Sequence, residues 1–262
     1  MVALIDADSI LYKTCFAIED KTWWNEFDCV VDKTLEKDIT YSTDLETLFT
    51  TAEGIIDNIL EATDCDEYLL CIGDGTKNFR FDNPLGYKNN RTELRKPEGF
   101  DELVTYFKEN LNATVIGNNL IEVDDYVVHL KTHFPNDYTL CAIDKDVLYQ
   151  TVGTHYNYNR DEWVKVTKRE AIEFKYYQAL VGDTSDGYKG CKGIGDKKAR
   201  EILNSLKNPT VSIKDYDKYL FENLQNTFNK SGHNLEYFIN TLQLADMHQF
   251  NGVSVDLFSG KF

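Results

Sequence analysis

The chain reads as an α/β protein with a mostly parallel central sheet flanked by helices, and three features carry that reading. Short apolar runs end in acids: VALID over residues 2–6, YLLCIGD from Tyr68 to Asp74 and YTLCAIDKD from Tyr138 to Asp146, with NLIEVDD from Asn119 to Asp125 as a weaker version. Between them Leu45, Leu48, Phe49, Ala52, Ile55, Ile56 and Ile59 recur at helical spacing, as do Phe100, Leu103, Val104, Phe107 and Leu111. Strand and helix therefore alternate, which makes the sheet parallel. In such sheets functional groups gather at the carboxyl ends of the strands, where all these acids fall.

Other stretches break the rhythm. Residues 20–44 are acidic, carry Trp23 and Trp24, and alternate around Phe27, Cys29 and Val31, as an inserted hairpin or lid would. Residues 75–99 are rich in Gly, Asn and basic side chains, with Pro84 and Pro97, and read as an exposed segment. After Val152 the pattern turns helical, with Ala171, Phe174, Tyr177, Leu180 and Val181 on one face. GYKGCKGIG, Gly187 to Gly195, is too glycine-rich for helix, and Asp196 is placed to cap the helix that follows. The expected division is an α/β core unit over 1–166 and a helical unit over 167–262.

At 262 residues the chain can bury a substantial core without a partner, and a monomer is expected. The start MVALIDADSILYK has no basic leader, and no run approaches the roughly 20 apolar residues of a membrane span, so a cytoplasmic protein with no membrane segment is expected. Cys15, Cys29, Cys65, Cys71, Cys141 and Cys191 stand singly, without CxxC or zinc-like spacing, and read as reduced thiols. The formal charge of −16 argues against a nucleic-acid binder. Its distribution argues the other way. The first 74 residues hold 18 acids against Lys13, Lys21, Lys33 and Lys37, whereas Lys77, Arg80, Lys88, Arg91, Arg95 and Lys96 form one basic group and Lys189, Lys192, Lys197, Lys198 and Arg200 a second.

The acids that invite chemistry are Asp6, Asp74, the set Glu122, Asp124 and Asp125, the pair Asp144 and Asp146, and the pair Asp183 and Asp186. Residues two apart on a strand share a face, which would let Glu122 meet Asp124 and Asp144 meet Asp146. Three apart on a helix end or turn suits Asp183 with Asp186. Brought together, such carboxylates require protons or cations. All-oxygen donors favour Mg²⁺ or Mn²⁺, and two such ions roughly 4 Å apart suit phosphodiester cleavage. An isolated DxD means little among 44 acids; five acidic stretches in rhythm mean more. No EF-hand loop, GxSxG or P-loop pattern is present, and His129 with His133 in HLKTH lack the glutamate of a zinc-protease motif.

In order, IDADS, IGDG, GYKNNR, IEVDDY, IDKDVLYQ and YQALVGDTSDGYKGCKGIGDKKA resemble the motifs of the flap endonuclease family, most nearly the bacterial and phage-type 5′ nucleases that include the 5′ nuclease domain of DNA polymerase I. The likeness runs from Met1 to about Ser205. It implies a PIN-like core, a helical arch at about 75–105 and a helix-three-turn-helix (H3TH) module in the second unit. With no polymerase following, it implies a stand-alone enzyme, and the cytoplasm of a bacterium or of a phage-infected host as its place. Carried over, it puts Asp6, Asp74, Glu122 and Asp124 around a first ion, Asp144 near both, and Asp146, Asp183 and Asp186 around a second. Asp125 matches an additional acid, and Asp8 stays outside.

Lys88 and Arg91 would touch the scissile phosphate, where cations favour developing negative charge. Arg80 would lie along DNA and Tyr87 could stack on an unpaired base. Gly190, Gly193 and Gly195 would let backbone amides approach a duplex phosphate, aided by Lys192, Lys197, Lys198 and Arg200. The resemblance implies K⁺ at this turn as well. Gly187 and the stretch Tyr188 to Cys191 depart from the family pattern, and altered turn packing is expected there. The implied reaction is Mg²⁺- or Mn²⁺-dependent cleavage of DNA near a junction with a 5′ single strand, in replication or repair, with RNA/DNA hybrids as further substrates. The rivals are a PIN-type ribonuclease and a non-catalytic structure-specific DNA-binding protein.

Overall fold

The computed structural model describes residues 1–23, 39–91, 95–117 and 120–247. The elements follow in chain order as β1 Val2–Asp6, α1 Asp8–Ile18, β2 Asp20–Trp23, β3 Ile39–Ser42, α2 Leu45–Thr63 and β4 Glu67–Gly73. Next come α3 Phe100–Glu109, β5 Thr114–Ile116, α4 Val123–His133, β6 Tyr138–Cys141 and α5 Lys145–Gln150. The chain continues with β7 Gly153–Asn157, β8 Glu162–Val166, α6 Lys168–Val181, β9 Gly182–Asp183 and β10 Tyr188–Lys189, then α7 Asp196–Ser205, α8 Tyr216–Lys230 and α9 Leu235–Ala245.

A six-stranded sheet in the order β5-β4-β1-β6-β7-β8 is parallel except at β8. β1 lies in its middle, pairing Leu4 with Leu69 on one side and with Leu140 on the other. Side chains alternate across a strand, so both faces of so central a strand must be apolar. Ala3 and Ile5 pack with α1, α2 and α3, while Leu4 packs with α4 and α5. The run VALID satisfies both faces until it reaches Asp6, which is buried at the strand end.

The residues after Val152 form a hairpin before the helices begin. In EWVKV, Val164 and Val166 are buried and Glu162, Trp163 and Lys165 are not, so period two outcompetes the helical reading. The turn between the strands uses Asp161 at φ 51°. The edge strand at the other side is β5, over residues 114–116, rather than the weak run from 119. Residues 122–125 open α4 instead, because Asp125 accepts the Glu122 N–H at 3.1 Å and caps a helix whose Val123, Tyr126, Val127 and Leu130 face the core.

The ends of the expected insertion pair antiparallel as β2 and β3; Trp24, Phe27, Cys29 and Val31 lie outside the described residues. Among the described residues of 75–99 there are two short 3₁₀ turns, Phe79–Asp82 and Asn89–Arg91, and no arching helix; α3 belongs to the core packing. Pro84 and Pro97 together with Gly75, Gly86 and Gly99, all three glycines at positive φ, interrupt any helix there. Cys15, Cys65, Cys71, Cys141 and Cys191 are buried free thiols.

α6 to α9 share a second core around Leu180, Tyr216, Leu220, Leu224, Phe228 and Phe238. Gly182 and Gly190 press backbone to backbone where β9 meets β10: a Cβ on Gly190 would stand 2.4 Å from the Gly182 nitrogen. Gly190→Ala should therefore cost about 1–3 kcal/mol in denaturant unfolding. Gly54→Ala, inside α2 with nothing within 4 Å of the new methyl, should instead stabilise by about 0.5–1 kcal/mol. Equal effects of the two would contradict this packing.

Candidate active site

One cleft of about 470 Å³ collects acids from four parts of the chain: Asp6 and Asp8 at β1 and α1, Asp124 in α4, Asp144 and Asp146 at α5, and Asp183 and Asp186 after α6. Lys88, Arg91 and Lys145 line the same cleft. The helices explain the convergence. Glu122 and Asp144 are N-cap residues, and Asp124 and Asp146 lie in the first turns that follow. Acids at these positions complement the free N–H groups of a helix start, as when Asp144 accepts the Asp146 N–H at 2.6 Å. Residues 122–124 and 144–146 are thus drawn to the site by helix starts, whereas a shared strand face was expected for each pair.

Burial is costly for so many carboxyls. Asp6 is pushed well above the usual carboxylate range by burial and by Asp8 and Asp144, and Asp124 by burial and by Asp6 and Asp144. Asp146 rises to about 8, through burial and then Asp144. Opposing cations hold others down. Burial pushes Glu122 up, but Lys88 at 2.5 Å and Arg80 at 3.4 Å outweigh it and its carboxyl falls below its ordinary value. Asp183 is likewise buried, yet Ser185 and the Lys145 ammonium at 2.9 Å lower it to about 2. Asp186 accepts from Arg91 at 3.0 Å, and burial still raises it.

The donor set suits hard divalent cations: all ligands would be carboxylate oxygens, and the buried Asp6 Oδ1 and Asp146 Oδ1 have no hydrogen-bond partner. Among the described residues no three His, Cys, Asp or Glu side chains already stand in ion-holding geometry. Several acids are engaged by Lys88, Arg91 and Lys145 instead.

Several expected residues take other positions. Asp74 does not line the cleft; it accepts from the Thr76 amide at 2.8 Å and hydroxyl at 2.6 Å and lies against Gly117. Asp8 does line it, held by the Gly73 N–H at 2.8 Å. Asp125 is fully buried and makes a bidentate pair with Arg80, both contacts 2.6 Å. Arg80 is therefore a core residue and no DNA-facing cation; it also donates to the Asp246 carbonyl at 3.2 Å. Tyr87 packs with Tyr188 and Leu244 and donates to Glu122 at 2.6 Å, so its ring is unavailable for base stacking. The run FRFDNPLGYK carries no sign of this, since only the fold supplies the buried acids that Arg80 and Tyr87 meet.

Lys88 adopts φ 52°, a conformation a lysine rarely takes, and its N–H donates to the Asp186 carbonyl at 2.7 Å. Asn90 and Arg91 donate to the Thr184 and Ser185 carbonyls. The basic segment is thus fastened to the α6–α7 connection. In that connection Gly190 is a packing glycine, whereas Gly193, at φ +75°, and Gly195 have nothing within 4 Å of where a side-chain methyl would stand and leave their backbone open. Lys192, Lys197, Lys198 and Arg200 are exposed. Gly195, and not Asp196, is the N-cap of α7; Asp196 accepts from Tyr177 and Arg200. Lys145, unforeseen in the sequence, was signalled only by its place between Asp144 and Asp146. His129 and His133 stack on each other at 4.0 Å in α4 and do not line the cleft.

No family model matches the chain. It is 25% identical over 240 residues to DNA polymerase I of Caldicellulosiruptor bescii, covering 83% of this chain and 26% of that protein. To a 5′-3′ exonuclease of Bacillus subtilis it is 28% identical over 172 residues, 57% of either chain. It spans about a quarter of the polymerase and little more than half of the exonuclease. Among solved structures the T5 D15 protein co-crystallised with metal ions shares the fold, with a TM-score of 0.53 and 19% identity over 76% of this chain and 82% of that one. A pseudo-enzyme-product complex of the T5 D15 flap endonuclease with DNA and metal ions gives the same TM-score and identity, over 76% of this chain and 80% of that one. The relatives are thus a DNA polymerase I and a 5′-3′ exonuclease, and the solved structures share the fold.

Because Arg80 and Asp125 are both wholly buried, Arg80→Ala strands a carboxylate in the core and should cost about 3–5 kcal/mol in equilibrium unfolding. A loss under about 1 kcal/mol would remove the pair from any structural role.

Proposed function

We propose that the protein is a structure-specific 5′ nuclease that hydrolyses DNA phosphodiesters near junctions of duplex and 5′ single strand, as a 5′ to 3′ exonuclease and flap endonuclease. The observation that carries this reading is the single cleft in which seven carboxylates meet Lys88, Arg91 and Lys145. The names of the relatives and the shared fold agree with it. RNA primers within RNA/DNA hybrids are a further substrate class, and replication or repair the setting.

Two divalent ions, Mg²⁺ or Mn²⁺, would be held between Asp6, Glu122, Asp124 and Asp144 on one side and Asp144, Asp146, Asp183 and Asp186 on the other, with Asp8 near the first. When bound they would supply Lewis-acid activation of water and stabilisation of the leaving oxygen. Asp125 supports Glu122 from beneath by accepting its N–H and by fixing Arg80. Lys88 and Arg91 reach into the cleft from the 75–91 segment, where an entering phosphate would take over the pairing they now give to Glu122 and Asp186.

α6 and α7, with the intervening turns, form the proposed H3TH duplex grip. The open backbone at Gly193 and Gly195 and the exposed Lys192, Lys197 and Lys198 favour contact with phosphates, which reads position and not sequence. K⁺ at that turn belongs to the same proposal. A PIN-type ribonuclease is disfavoured by the α6–α7 module, and a non-catalytic binder by the unpartnered carboxylate oxygens of Asp6 and Asp146.

Cleavage of a 5′-labelled flap duplex should occur with Mg²⁺ and cease with EDTA; no metal-dependent cleavage would refute the enzyme. Asp124→Asn should lower the rate by at least about 100-fold, and an unaltered rate would remove that residue from the site. Lys197→Ala with Lys198→Ala should weaken duplex binding and reduce the slope of log affinity against log salt by about 2. An unchanged slope would refute the duplex grip.

A further inference from the structure

Outside the acid cleft, α5, β8, α6 and α7 enclose a groove of about 270 Å³ whose wall is aromatic and whose charged lining is Lys165, Arg200 and Lys207 with Glu170 and Glu173. Tyr149, Phe174 and Tyr177 form a continuous array: the first two rings are 5.2 Å apart and inclined by 29°, the second and third 5.7 Å apart and inclined by 36°. The Arg200 guanidinium lies 4.8 Å over the Tyr177 ring and extends the array by one more planar group. Tyr149 is 36% exposed, and Phe174 and Tyr177 are half-buried.

The groove and the cleft are separate, and two helices contribute to both. On α5, Lys145 lines the cleft and Tyr149 the groove, one turn apart on the same face. On α6, Phe174 and Tyr177 line the groove and the helix delivers Asp183 to the cleft. We propose that this groove stacks unpaired bases of the strand whose phosphate occupies the cleft, an inference that rests on the nuclease reading above.

Charge favours that occupant. Lys165, Arg200 and Lys207 line the groove with the rings in a protein of net charge −16; Arg200 also pairs with Asp196 at 2.8 Å, an exposed pair that a phosphate can displace. The two acids of the groove are engaged within the protein: Glu173 accepts from the Tyr216 hydroxyl at 2.7 Å and pairs with Lys207 at 3.6 Å, and Glu170 accepts the Thr167 N–H at 2.8 Å. Exposed rings with cations beside them hold bases by their faces and backbones by charge, without sequence preference. Tyr87, the ring expected to do this, is buried.

The test titrates the full chain, in EDTA, with labelled duplexes that carry either no unpaired 5′ arm or an arm of about ten nucleotides. Tyr149→Ala with Phe174→Ala should weaken binding of the armed duplex roughly 10-fold or more and leave the blunt duplex unchanged. Tyr149→Phe should restore most of the Tyr149 contribution, and 2-aminopurine in the arm should be quenched by the parent protein and not by the double variant. An unaltered thermal midpoint shows that the double variant folds. No loss, or an equal loss on both duplexes, overturns the proposal, as does competition by an unrelated peptide and not by single-stranded DNA. Cleavage with Mg²⁺ is scored separately: a parent that stacks arms without cutting refutes the nuclease reading alone, and a double variant with unchanged KM refutes the groove alone.

Discussion

Repulsion among seven carboxylates in one cleft is the constraint around which the local structure is arranged. The parallel sheet supplies the ground plan by ending β1 at Asp6 beside the start of α5. Helix starts then carry most of the remaining acids, because an acid there satisfies N–H groups that would otherwise lack partners. Lys88, Arg91 and Lys145 complete the balance from outside.

Beneath this layer the Arg80–Asp125 pair joins three regions that are remote in sequence. Arg80 belongs to the segment after β4, Asp125 to α4, and the Asp246 carbonyl to the end of α9. Asn83 donates to the Asn240 carbonyl at 3.0 Å and Gln150 to that of Ala245 at 2.7 Å, so the helical unit is fastened to the sheet unit close to the cleft. A buried ion pair is an expensive way to stabilise a fold. Here it fixes Glu122 and the approach of Lys88, a geometric return that apolar packing would not provide.

A net charge of −16 does not preclude the proposed DNA partner, because the charge is segregated. The acids of the cleft are internal and partly neutralised by neighbouring cations, while Lys192, Lys197 and Lys198 stand exposed beside open glycine backbone. Local field, and not net charge, governs where a phosphate settles.

The apolar runs and helical periods were sufficient for the α/β class, the central strands β1, β4 and β6, and the helices α2, α3 and α6, since burial on both faces of a strand or one face of a helix leaves a direct imprint on residue order. That Asp6, Asp124, Asp144, Asp146, Asp183 and Asp186 gather in one cleft was foreshadowed by their places at the ends of apolar runs, although helix starts and not shared strand faces bring 124, 144 and 146 there. The hairpin of β7 and β8 was not, because its alternation is brief and ends against a strong helical pattern. Nor could residue order separate Asp8 from Asp74, or reveal that Arg80 and Tyr87 face inward. Those outcomes depend on which side chains a distant element brings within hydrogen-bonding reach, and for a carboxylate or guanidinium that partner decides between core and surface.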